Sequence, residues 1–262
     1  MSVSFRDMDV LALALCTLAC QAGRVILDVY RSDFTVTVKA DASPVTRADQ
    51  AAEDVIVQGL RNLAPDIPIV AEEAMAAGQT PDFLGNRFWL VDPLDGTEAF
   101  IRRVGEFTVN IALIENGRPV AGVVYAPVRD QLYVGAGPGT ARLEQNGCGR
   151  LLNVRMPPPE GVTVLASRRH GDSALLEAFL KTRSVYAVVR LSSSLKLCLV
   201  AAGEADLYPR FGRTMEWDTA AGQAILEAAG GRVCTVWGGD LRYGKPGFSN
   251  PHFVAQGAPS PL

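Results

Sequence analysis

The sequence predicts an α/β chain, and three observations carry that reading. Strand-length apolar segments alternate with helix-length amphipathic ones, turn dipeptides such as Asn116-Gly117 separate several consecutive extended segments, and the texture changes after the prolines at 157–159. From the N-terminus, an Ala/Leu stripe predicts a helix running to about Tyr30, and the alternation Phe34-Thr35-Val36-Thr37-Val38-Lys39 predicts a strand. A polar turn follows from Asp41 to Pro44. Val45-Thr46 precede a second helix over Ala48 to Leu63, which stops before Pro65, and Ile67 to Val70 reads as a short strand ending at Glu72-Glu73. Phe88 to Val91 is a buried strand. Phe107 to Ile114, Val120 to Tyr125 and Gln131 to Val134 read as antiparallel strands, joined by turns at Asn116-Gly117 and Val128-Arg129-Asp130, and another strand leads to Asn146-Gly147.

Met156-Pro157-Pro158-Pro159 is the expected boundary, because consecutive prolines suit neither a helix core nor a sheet interior. Beyond it, Val162 to Leu165 (strand), Ala174 to Lys181 (helix), Ala187 to Leu191 (strand) and Leu195 to Ala202 (helix) alternate. The expected organisation is an N-terminal α+β lobe, residues 1–156, and a C-terminal α/β lobe, residues 157–262.

At 262 residues the chain can bury a large core. A net charge of -3 gives no reservoir of positive charge for a nucleic-acid polymer. The five cysteines are scattered without a Cys-x-x-Cys pair, which suggests free thiols rather than a disulfide framework or a zinc site. Val10 to Cys16 lacks the basic flank of a signal peptide, and no stretch is expected to span a bilayer. A cytoplasmic location follows, with peripheral contact at the inner membrane and the oligomeric state left open.

The densest chemistry lies in Asp92-Pro93-Leu94-Asp95-Gly96-Thr97, where an apolar strand ends in two carboxylates three residues apart. Pro93 fixes the turn, Gly96 relieves crowding where a helix begins, and the following amides could hold an anion. Glu72 also follows an apolar strand, so adjacent strands would set it beside Asp92. Asp218 stands at the expected N-cap of an alanine-rich helix ending at Gly230-Gly231. Four hard-oxygen ligands without convergent His or Cys favour Mg²⁺, and gathering them implies two or more cations. Such a site suits phosphoryl transfer to water. Asp49, placed against the Thr97 hydroxyl, would orient the water and take its proton.

These motifs, with Pro44-Val45-Thr46-x-x-Asp49 and Trp217-Asp218-Thr219-Ala220-Ala221-Gly222, resemble the inositol monophosphatase superfamily of Mg²⁺-dependent, lithium-sensitive phosphatases. Gly105 to Ile114, Gly122 to Pro127, Ser193-Ser194-Leu195-Lys196 and Leu207 to Gly212 are most similar to its bacterial 3′(2′),5′-bisphosphate nucleotidase branch. The resemblance runs from about Leu11 to Val254. It implies a layered α/β/α/β/α sandwich. It also implies one Mg²⁺ on Glu72, Asp92 and the Leu94 carbonyl and a second on Asp92, Asp95 and Asp218, with Glu72 and Glu73 leaving oxygen for a third. Gly96 and Thr97 would contact the scissile phosphate, with Asp49 and Thr97 activating water. The implied reaction converts adenosine 3′,5′-bisphosphate to AMP and phosphate, clearing a by-product of sulfate assimilation.

Lys196 and Arg210 are candidates for the second phosphate or the nucleotide, although a solvated helix face and a structural ion pair would also account for them. Arg168-Arg169-His170 is a further phosphate candidate. One departure stands out: Glu98 occupies a position where the nucleotidase pattern carries a base. Glu98 either faces solvent or marks a shifted preference. The alternatives are a phosphatase for inositol monophosphate or another small sugar phosphate, and a non-catalytic nucleotide or metal sensor.

Overall fold

The computed structural model describes residues 5–38, 44–81, 85–168 and 171–258. The chain opens with α1 (Phe5–Tyr30), then β1 (Val36–Val38), β2 (Pro44–Thr46) and α2 (Arg47–Leu63). Next come β3 (Ile69–Ala71), α3 (Glu72–Ala76), β4 (Arg87–Asp95) and α4 (Thr97–Ile101). Five strands follow: β5 (Thr108–Glu115), β6 (Arg118–Ala126), β7 (Gln131–Gly135), β8 (Arg142–Gln145) and β9 (Cys148–Leu151). After the prolines the order is β10 (Val162–Ser167), α5 (Ser173–Leu180), β11 (Val185–Leu191), α6 (Leu195–Ala201), β12 (Leu207–Arg210), α7 (Glu216–Ala228), β13 (Arg232–Thr235) and β14 (Phe253–Gln256).

β3 to β9 form a seven-stranded sheet in chain order, and the second sheet runs β11-β10-β12-β14-β13. In the first sheet only β3 and β4 pair in parallel, which sets the C-terminal end of β3 beside that of β4. The expected hairpin turns are present. Asn116 and Gly117 both take positive φ, 52° and 72°, as do Asn146 and Gly147, 51° and 74°, the conformation that twists a tight hairpin correctly.

Period-two alternation divides β4 and β5 between two cores. Trp89, Val91, Val109, Ile111 and Leu113 face α1 and α2, with Leu15, Ile26, Ile56 and Leu60. Leu90, Ala112 and Ile114 face the other way, onto a core containing Leu195, Leu197, Trp217, Ile225 and Tyr208. The helices α6 and α7 therefore lie between the sheets, and the α/β/α/β/α layering holds. The backbone of α7 sits so close to the first sheet that a Cβ at Gly122 would lie 2.6 Å from the Ala221 carbonyl. The outermost helix layer is sparse, since α5 has no buried residue.

Several expectations need correction. The strand expected over 34–39 is confined to Val36–Val38, and it pairs with Pro44–Thr46, where a turn residue was expected; residues 39 and 41–43 lie outside the described chain. Strand β3 ends at Ala71, and Glu72-Glu73 open a helix instead. β9, β12, β13 and β14 were not foreseen. β9 is wholly exposed and contains Gly149, and β12 contains Pro209, so neither shows an alternating pattern. Met8–Tyr30 is long and apolar enough to cross a membrane, with mean hydropathy 1.9. In the fold, however, Ala12, Leu15, Ala19, Ala22 and Ile26 bury one face in the core, and Asp9, Gln21, Arg24 and Asp28 are exposed.

Candidate active site

The site forms where β3, β4, α2 and α7 meet. Asp92 and Asp95 sit across from Asn110 and Thr108 of β5, with a bulge between them that adds one residue to β4. Pro93 is tolerated there because it falls at the ladder's irregularity. Asp92 is 1 % exposed, and its Oδ1 accepts from the Leu94 amide at 3.0 Å. Gly96, at φ 94°, turns the chain into α4, a conformation that disfavours any Cβ.

Asp49 lies in the first turn of α2 and is 2 % exposed. Its Oδ2 accepts from the Thr46 amide and hydroxyl, both at 2.8 Å, closing a capping box. Its Oδ1 faces the other way and accepts from the Thr97 hydroxyl at 3.1 Å. Thr97 Oγ1 also stands 3.2 Å from the Leu94 carbonyl. One carboxylate thus caps its helix with one oxygen and reaches the Asp92–Thr97 turn with the other.

Glu53, four residues beyond Asp49, was missed in the sequence. Its carboxylate accepts from the Glu73 and Ala74 amides at 2.7 and 2.8 Å, capping α3 and fixing the start of the helix that bears Glu72. The available signal was a second acid, one turn after Asp49, among the otherwise apolar Ala48, Ala52, Ile56 and Leu60, all buried.

Asp218 is not the N-cap of α7. Met215 holds that position, and Asp218 sits in the first turn with Oδ2 accepting from the Met215 amide at 2.8 Å. The error has a simple cause: an acid three residues into a helix can reach back to the cap amide, so cap and third position look alike in sequence. Glu216, wholly buried, accepts from the Gly244 and Lys245 amides at 2.7 and 2.9 Å and anchors this end of α7.

The acids feel one another. Burial raises the Asp92 carboxyl well above the usual carboxylate range, and Glu72, Asp95 and Asp218 raise it further. Burial likewise raises Asp218, with Asp95 and Glu72 adding to the effect. Asp95 is raised by burial against the opposing pull of Lys196, the Ser194 amide and Arg210. Burial raises Asp49 too, while the Thr46 and Thr97 hydrogen bonds oppose it. The cluster is electrostatically coupled yet open: among the described residues no three acidic, His or Cys side chains are closed round one point. One buried carboxylate, Asp92, with the half-buried Glu72, Asp95 and Asp218 around it, all oxygen donors, fits hard divalent cations.

Lys196 and Arg210 are only 3 % and 8 % exposed, so neither is a solvated surface charge. Burial pushes the Lys196 ammonium down to about 8, with Asp95 opposing. The ammonium donates to the Ser193 carbonyl and lies 5.1 Å from the Tyr208 ring centroid. The Arg210 guanidinium donates to the Arg213 carbonyl at 2.8 Å. Beside it lies a cavity of about 230 Å³, lined by Ser167, Arg168, Asp172, Arg190, Arg210 and Phe211 among others. Arg168 makes a two-pronged pair with Glu106, at 2.7 and 2.8 Å; Arg169 and His170 lie outside the described residues. Glu98 is half-buried and lies 3.7 Å from Arg102, one turn along α4.

Residues 7–257 match the inositol monophosphatase family. The chain is 49 % identical over 242 residues to the 3′(2′),5′-bisphosphate nucleotidase CysQ of Shigella flexneri, covering 91 % of this chain and 96 % of the relative. Identity to CysQ of Escherichia coli K12 is 48 % over the same length. Among solved structures, CysQ of Bacteroides thetaiotaomicron superposes with TM-score 0.78 at 36 % identity, over 94 % of this chain and 96 % of the other. An inositol monophosphatase from Anabaena superposes with TM-score 0.76 at 27 % identity, over 95 % and 91 %. With nearly its whole length matched in sequence and in fold, the chain belongs to the inositol monophosphatase family.

Proposed function

We propose that the chain is a Mg²⁺-dependent phosphatase that removes the 3′-phosphate of adenosine 3′,5′-bisphosphate, giving AMP and phosphate. The observation that carries the chemistry is the Asp49–Thr97 contact at 3.1 Å, set beside the coupled carboxylates. A binding-only protein would need the carboxylates but not that pair. Glu72, Asp92, the Leu94 carbonyl, Asp95 and Asp218 would hold two Mg²⁺, with Glu73 near enough in sequence to help a third. When bound, these ions supply Lewis-acid charge stabilisation and make water more acidic.

The remaining steps belong to the chain itself. Thr97 fixes the water through its hydroxyl, and Asp49 takes the proton on Oδ1. Burial makes the Asp49 carboxylate a stronger base than an exposed one. Gly96 and Thr97 contact the scissile phosphate. Lys196 and Arg210 hold the second phosphate, and the adjoining cavity receives part of the nucleoside. Glu98, engaged by Arg102, is kept from opposing the substrate's charge. The five cysteines are all free thiols, in keeping with a reducing compartment such as the cytoplasm.

The test is phosphate release from adenosine 3′,5′-bisphosphate beside inositol 1-phosphate, with Mg²⁺, for the unmodified protein and for Lys196→Met and Arg210→Ala. Fast release from the bisphosphate, with KM raised at least tenfold in both variants while inositol 1-phosphate turnover is unaffected, is expected. Preference for inositol 1-phosphate would keep the site chemistry and overturn the substrate. Silence on both substrates would overturn the enzyme.

A further inference from the structure

One buried amide near the acids has no part in the chemistry described so far. Asn110 interrupts the apolar run of β5, is 1 % exposed, and faces Asp92 across the ladder. Its Oδ1 accepts from the Ser194 hydroxyl at 2.7 Å. Ser194, itself buried, also lies 2.9 Å from the Thr108 hydroxyl. Because Ser194 has one hydroxyl proton and gives it to Asn110, Thr108 is the donor in that second contact. The other end of Asn110 is different: Nδ2 is shielded from water and makes no regular hydrogen bond. Thr108, the neighbour of Asn110 on the same face of β5, pairs with Asp95, so Asn110 stands diagonally across from that carboxylate.

A buried amide donor left without a regular partner is costly, and an alanine or valine would fill this strand position without that cost. The loop that supplies Ser194 is also held in an unusual shape. Ser193 takes φ 59°, rare for a residue with a side chain, and the Ser192 amide donates to Glu106 Oε2 at 3.0 Å. Glu106 therefore pins the Ser192–Ser194 turn against the first sheet, and Ser194 sets the Asn110 amide.

We propose that Asn110 is a positioning residue for Asp95, oriented by Ser194, so that the turn preceding Lys196 and the cation site are mechanically linked. Ser194 fixes which way the Asn110 amide points, leaving Nδ2 directed at Asp95. Asp95 is thereby held in one orientation, the one in which it would ligate a cation. The inference rests on the proposed role of Asp95 as a Mg²⁺ ligand.

The test is calorimetric titration of Mg²⁺ into substrate-free protein, for the unmodified chain, Asn110→Ala, Ser194→Ala, Ser194→Thr and the double alanine variant. Asn110→Ala should weaken Mg²⁺ about tenfold or more, the usual cost of removing a residue that orients a ligand. Ser194→Ala should weaken it about fivefold, the worth of one neutral hydrogen bond. The double variant should be no weaker than Asn110→Ala alone, because Ser194 acts through Asn110. Ser194→Thr should recover the affinity.

A merely structural role would lower Tm in Mg²⁺-free buffer and leave the Mg²⁺ isotherm unmoved; that result overturns the proposal. Additive effects in the double variant also overturn it. If Asn110→Ala fails to fold, the comparison of Ser194→Ala with Ser194→Thr decides. If the unmodified protein itself takes up no Mg²⁺, the cation reading fails instead, which separates the two ideas.

Discussion

Gly96→Ala probes how closely the turn after the acids is confined. Gly96 has φ 94°, and an added Cβ would stand 2.9 Å from the Glu106 carbonyl and 3.4 Å from Phe107 Cα. Holding a residue with a side chain in that left-handed region costs about 1 kcal/mol. Forcing a methyl against backbone adds about 1–3 kcal/mol, because neither neighbour is a flexible side-chain tip. Together, a loss of about 2–4 kcal/mol corresponds to a Tm drop of roughly 5–15 °C at this chain length. Gly137→Ala isolates the first cost: its φ is 97° and nothing lies within 4 Å of the added carbon, so about 1 kcal/mol and roughly 2–4 °C are expected. Thermal unfolding of both variants, followed by circular dichroism, measures the difference. Relief of the clash would also swing Thr97 off Asp49, so phosphate release should fall roughly a hundredfold in Gly96→Ala and stay intact in Gly137→Ala. Equal destabilisation by the two substitutions would refute the close-approach argument.

Thr97→Val keeps the side-chain shape and removes the hydroxyl; kcat should fall about 10²–10⁴-fold with little change in Tm, read from steady-state kinetics and melting of the same preparation. Asp92→Asn should raise the Tm of metal-free protein, since it removes a buried carboxylate raised by three others. The same variant should lose the Tm gain of roughly 5–10 °C that Mg²⁺ at about a hundred times its Kd gives the unmodified protein. Glu106 supplies the pH dependence. The Arg168 fork beside it, helped by the Ser192 amide, holds its carboxyl below the ordinary 4.5, so its stabilisation is full above that pH and lost as pH falls through the lower folded value. Glu106→Gln should therefore melt below the unmodified protein at neutral pH and converge with it in acid, as urea midpoints across pH 3–7 would show.

The Asp92–Thr97 turn was legible because its residues each have a local reason: proline for the kink, glycine for the positive φ, acids at a strand exit. Thr46 and Asp49 were legible as a helix start for the same cause. Chain-distant partners were not. Nothing near Asn110 in sequence announces Ser194, and Glu53 shows its purpose only once α3 is folded against α2. The short strands β13 and β14 owe their conformation to pairing with each other and with β12, so their residues alone carried little signal. Asp218 was singled out but misplaced on its helix, because both positions use the same carboxylate-to-amide bond. For Lys196 a solvated helix face stood open as the alternative because lysine is rarely buried, and only the fold shows that α6 has no exposed face.

The bulge in β4 is, in effect, a correction of parity. A pleated strand sends odd-spaced residues to opposite sides, and Asp92 and Asp95 are three apart. Their ladder partners Asn110 and Thr108 are two apart, so the one surplus residue turns an odd spacing into an even one and brings both acids to the same side. It also leaves the Leu94 carbonyl outside the ladder, free to face Thr97. Matching the surplus by inserting a residue between Thr108 and Asn110 would let the ladder run regularly and carry one of the two acids to the α1–α2 side, among Trp89 and Val91. Counting residues on the opposite strand, which sets Asn110 and Thr108 rather than acids against this turn, is therefore as much a part of this site as the carboxylates are.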